Sequence, residues 1–82
     1  MADLIVEVVG WVGAALLLAA YFLISAKRLH GRSKIYHLMN LLGGSFIALN
    51  SFVNSAFPST ALNAVWSSIA VYGLYKSLFS KD

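Results

Sequence analysis

The sequence predicts an all-α membrane protein, a bundle of three transmembrane helices. Two observations carry that expectation. Three mostly apolar runs, at about residues 4–24, 36–53 and 58–78, fill nearly all of the 82 residues. A helix needs about 20 such residues to cross a hydrocarbon core of about 30 Å. The second observation is charge placement. Lys27, Arg28, Arg32 and Lys34 lie between the first two runs, and Lys76 and Lys81 close the chain. Both clusters fall on one side of a bilayer only if the chain crosses three times.

Composition agrees. The chain is 60% hydrophobic and 11% charged, with a mean hydropathy of +0.78. A soluble domain this small needs more charge to cover its surface. One domain over residues 1–82 is expected, with helices at about 4–25, 34–53 and 57–78. The chain has no cysteine, which excludes disulfides and thiolate metal sites.

The first helix spans residues 4–25 and holds a single acidic group, Glu7. A secretory signal begins with a basic segment. Here Asp3 and Glu7 come first and the basic cluster follows, so a retained helix is expected. An acid in the first turn also suits the helix dipole. Gly10 and Ala14 form a small-xxx-small pair for close helix packing. Gly31 permits a turn, and Ser33 is placed to cap the second helix. That helix runs out at Asn54–Ser55. Pro58 opens the third, where its missing N–H costs nothing.

Charge sets the orientation. Lys and Arg near helix ends favour the cytoplasmic side. Lys27, Arg28, Arg32, Lys34 and the C-terminus are therefore expected inside, and the N-terminus and the uncharged 54–57 connector outside. The membrane expected is the bacterial cytoplasmic one. Aromatic residues fall at belt depth: Trp11 and Phe57 outside, Tyr36, Tyr75 and Phe79 inside. The basic loop is about ten residues long and pinned to a bilayer. It reads as a topology signal in contact with lipid headgroups, not as a nucleic-acid patch.

Polar residues inside the helices mark the candidate site. On the second helix, spacings of 3, 4 and 7 put Asn40, Gly43, Ile47, Asn50 and Asn54 on one face, with Gly44 beside them. On the third, Ser59, Asn63, Trp66, Ala70 and Gly73 share a stripe. Unsatisfied amides in hydrocarbon are costly, so these faces must meet each other or a polar cavity. One reading makes the asparagines interhelical glue, with Gly43, Gly44 and Gly73 allowing close approach. The other has Asn63 and Asn50 lining a chamber that Trp66 helps to shape. A carboxamide offers donors and an acceptor without charge, which suits a neutral polar solute. His37 has no second ligand at metal spacing. No nucleophile–base pair, phosphate loop or carboxylate pair is present, so no catalytic residue, metal or cofactor is expected and the chain does not read as an enzyme.

The whole chain resembles the SemiSWEET branch of the PQ-loop transporter superfamily, and more closely a group of small bacterial permease-like three-helix proteins. The resemblance rests on Gly10-Trp11-Val12-Gly13-Ala14, the basic first loop, and Phe57-Pro58-Ser59-Thr60-Ala61-Leu62-Asn63-Ala64-Val65-Trp66. In SemiSWEETs an Asn at the same distance after the helix-opening Pro binds the sugar, which assigns that role to Asn63. Leu23-Ile24 stand where the superfamily has its Pro-Gln pair, and Ile47 where it has a Trp. A transporter of a neutral polar solute such as a sugar is expected, with Asn63 the ligand that the resemblance implies and Asn50 and Trp66 added by the polar faces. Three helices give too little wall to enclose a solute path, so a parallel homodimer is expected. The alternative is a non-transporting accessory or packing subunit of a larger membrane complex.

Overall fold

The structure, a computed structural model, describes residues 2–31 and 33–79. Arg32 and Lys81 of the two basic clusters lie outside the described residues. Among the described residues the chain is all-helical, with three helices: α1 (Ala2–Ser25), α2 (Lys34–Val53) and α3 (Phe57–Phe79). Their 24, 20 and 23 residues make rods of about 36, 30 and 34 Å.

Each helix end has a local cause. Backbone bonds from Arg28 N to Leu23 O (2.8 Å) and Lys27 N to Ile24 O (3.2 Å) close α1. They form a Schellman turn with Lys27 in the left-handed region, φ 62°. Gly31, expected to supply the turn, has no positive φ. α2 ends the same way. Ala56 N donates to Ser51 O and Ser55 N to Phe52 O, with Ser55 at φ 61°. Ser33 caps α2, its hydroxyl accepting from Tyr36 N.

α2 packs on both neighbours, whereas α1 and α3 do not pack on each other. The result is a layer of 44 × 22 × 19 Å with α2 in the middle. The core is minimal. Ala20 and Ala70 are its buried apolar residues among those described, and large side chains such as Leu18, Phe22, Leu62 and Ile69 stand exposed.

Among the described residues, Asp3–Ser25 is the one helix long and apolar enough to cross a membrane by length and composition. By that measure α2 and α3 fall short of the three spans expected. Asn40, Asn50, Ser51, Ser59, Asn63 and Ser67 lower their apolarity. Those groups are not bare, however. No buried side-chain nitrogen or oxygen among the described residues lacks a hydrogen-bond partner.

Candidate functional site

The polar residues lie on the two seams of the layer and in the hollow between its outer helices. At about 100° per residue, Asn40, Ile47 and Asn54, seven apart, make one narrow stripe on α2. Gly43 and Asn50 flank it on the α1 side, and His37, Gly44 and Ser51 on the α3 side. The stripe therefore looks between α1 and α3, so the layer is bent and this is its concave side. The opposite side of α2 carries Leu38, Leu42, Leu49 and Phe52, all exposed. One face of the molecule is greasy and the other holds the amides.

Two grooves open on the concave face. The first lies between α1 and α2 at the N-terminal end of α1. It has about 620 Å³ and is lined by Asp3, Glu7, Gly10, Trp11, Ala14, Ile47, Asn50 and Asn54. Asp3, Glu7, Gly10 and Ala14 follow helical spacing on α1, which explains why one helix brings both carboxylates to it. The second lies between α2 and α3 at the other end. It has about 240 Å³ and is lined by Tyr36, His37, Asn40, Trp66, Ile69 and Ala70. Its ends thus differ in chemistry: the first groove is acidic and amide-rich, the second aromatic.

The α1–α2 seam rests on backbone contact. A Cβ on Gly13 would stand 2.8 Å from Gly43 O, and one on Gly43 2.9 Å from Gly13 O. Beside this crossing, Asn50 Nδ2 donates to Val6 O at 2.8 Å. Gly10 leaves room for that amide, since a Cβ there would lie 2.6 Å from Asn50 Nδ2. The α2–α3 seam is polar along its length. Ser51 and Ser59 hydroxyls bond at 2.8 Å, Ser67 Oγ sits against Gly44, and Trp66 Nε1 donates to Asn40 Oδ1 at 2.9 Å. At the far end the His37 ring lies in the space that Gly73 leaves open and bonds to the Gly31 carbonyl.

The structure separates the three residues read as solute ligands. Asn50 lines the first groove and Trp66 the second. Asn63 lines neither; its amide donates to Ser59 O at 2.9 Å, within its own helix. Asn40 is the residue that sequence reasoning undervalued. It is 6% exposed and joins α2 to α3 through Trp66. Its offset from Trp66 across two helices leaves no periodic signal in the sequence. Among the described residues no cluster of His, Asp and Glu could hold a metal ion.

The fold defines a class: a three-helix layer, greasy on one face and amide-lined on the other. A family model matches residues 6–81, so the chain belongs to that family, whose function is uncharacterised. No curated protein and no solved structure matches the chain.

Proposed function

We propose that this protein is an integral membrane transporter of SemiSWEET-like architecture for a small neutral polar solute such as a sugar. It spans the bilayer three times and pairs as a parallel homodimer, with Lys27, Arg28, Lys34 and Lys76 on the cytoplasmic side of a bacterial membrane. One observation carries the reading: both grooves open on the same concave face, while the other face is apolar. A second copy laid against the concave face would enclose a polar path whose outer wall meets lipid. Three helices alone give too little wall for this. The positive-inside rule gives the orientation. α2 and α3 cross despite their amides because the amide nitrogens of Asn40, Asn50 and Asn63 are internally bonded, and an amide with a partner is far cheaper in hydrocarbon than a bare one.

In this reading Asn50 and Trp66 face the path, one in each groove. Asn63 must turn out of the α2–α3 seam to take the sugar-binding role that the resemblance assigns it. Uptake of labelled sugars and polyols into proteoliposomes tests the proposal. Uptake above empty vesicles, lowered by Asn50→Ala and Trp66→Ala, supports it. No movement of any neutral solute overturns it, and full activity in Asn63→Ala removes Asn63 from the path.

A second reading, a non-transporting accessory subunit, is favoured by a different observation. Asn50 Nδ2 donates across to Val6 O and Asn40 Oδ1 accepts across from Trp66, as interhelical glue does, and the Asn63 amide nitrogen is held by Ser59 O within its own helix. Co-purification in mild detergent separates the two. A stoichiometric larger partner supports the accessory role, and a clean homodimer supports the transporter.

A further inference from the structure

We propose that α1 moves as a rigid lever against a fixed α2–α3 pair, pivoting at the Gly13–Gly43 crossing, with the Asn50 amide as the latch that holds α1 against α2 beside the first groove. The inference concerns the chain's own mechanics and stands whatever the groove carries. It rests on the unequal side-chain hydrogen bonding of the two seams. α2 and α3 are tied at several levels along their length, by Ser51–Ser59, Ser45–Ser67 and Asn40–Trp66, and by a short turn between them. Among the described residues the one side-chain hydrogen bond joining α1 to α2 is Asn50 Nδ2 to Val6 O. The connector between them, residues 26–33, is the longer one.

The geometry of the α1 seam is that of a pivot. Gly13 falls at the middle of α1, and its backbone meets that of Gly43, with Leu17 packed on Gly43 and Phe46 and Ile47 on Gly13. The backbones come closest here, so this is the point about which α1 turns with least displacement while its ends move most. The latch lies seven residues toward the end of α1, about 10 Å from the pivot. It is an added bond, because the Val6 carbonyl already sits in the α1 ladder. Breaking it therefore need not unwind the helix. A tilt of about 15°, within the ordinary scatter of helix crossings, would displace Leu4 by about 3–4 Å. That motion widens the groove floored by Gly10 and Asn50. The Asn50 oxygen accepts no hydrogen bond among the described residues, so the latch residue also presents a free acceptor while it is bonded.

Spin-label distance measurements on the full chain in lipid nanodiscs test this, since the chain has no cysteine to remove. Labels at exposed Leu4 and Leu62 report α1 against α3 at the latch end, and labels at exposed Leu49 and Leu62 report α2 against α3. A third pair at Leu18 and Tyr72 reports the other side of the pivot. Asn50→Leu keeps the volume and removes the donor. Gly10→Ala displaces the Asn50 amide while leaving Asn50 in place. Both should broaden or shift the Leu4–Leu62 distribution by about 3–4 Å and leave Leu49–Leu62 unchanged, with a smaller change at Leu18–Tyr72. An unaltered Leu4–Leu62 distribution in both variants overturns the latch. Equal broadening of all three pairs overturns the lever, because it means general loosening. If one variant fails to fold, the other decides alone; if neither folds, Asn50 is a core strut and the latch is refuted.

Discussion

Removing the indole nitrogen of Trp66 should cost more than the size of the change suggests. Trp66 Nε1 donates to Asn40 Oδ1 at 2.9 Å, and Asn40 is only 6% exposed. In Trp66→Phe that oxygen keeps its place and loses its donor. A buried acceptor left bare costs about 1–3 kcal/mol, whereas a neutral bond made and broken in exchange with water is worth about 0.5–1.5. Interhelical bonds within a membrane average about 0.6 kcal/mol and reach about 1.7. The indole is 46% exposed, so lost packing adds little. Trp66→Phe should therefore destabilise by about 1–1.5 kcal/mol. Asn40→Ala should cost somewhat more, since Asn40 Nδ2 also donates to Tyr36 O at 2.8 Å. The double variant should cost less than the sum, with a coupling of about 0.6–1.7 kcal/mol. Reversible unfolding in mixed micelles, followed by circular dichroism, measures all four corners. Costs that add to within about 0.5 kcal/mol would refute the bond.

Three further outcomes follow from the same geometry. Gly43→Val should destabilise by about 2 kcal/mol or more by overpacking, because its Cβ would meet Gly13 O at 2.9 Å and Leu17 Cγ at 2.8 Å; Gly31→Ala, with nothing within 4 Å, should stay within about 0.5 kcal/mol, and the same unfolding assay compares them. Ser55→Gly should raise stability by about 1 kcal/mol, since Ser55 holds φ 61° and left-handed backbone costs a residue with a Cβ about 1–2 kcal/mol; an unchanged midpoint would contradict the strain. In intact cells an impermeant thiol reagent should label Ala56→Cys and spare Arg28→Cys, and the opposite pattern would reverse the proposed orientation.

Periodicity made much of this fold legible. The apolar runs located the helices, Ser33 announced the α2 cap, and the i, i+3, i+7 spacing gathered Asn40, Gly43, Ile47, Asn50 and Asn54 on one side of α2. What spacing does not carry is which helix stands beside which. The five residues spread over about 80° of α2, and the flanking helices divide them: Asn50 at one margin bonds to α1, while Asn40 at the other bonds to α3. A chamber shared by Asn50, Asn63 and Trp66 was a reasonable expectation only for helices that close into a ring, and α1 and α3 do not pack together. The turns were hidden for another reason. Lys27 and Ser55 take left-handed conformations usually left to glycine, so no residue type marked them. Tertiary packing overrode local preference at both.

The central claim is that a second copy covers the concave face. Ile47 lies on the stripe that looks into the hollow, and Leu42 on the opposite face of α2. In the cysteine-free background, Ile47→Cys and Leu42→Cys are compared in native membranes with a short bifunctional thiol reagent. The account predicts a crosslinked dimer from Ile47→Cys and monomer from Leu42→Cys. Crosslinking through Leu42→Cys with none through Ile47→Cys would place the partner on the apolar face and contradict it.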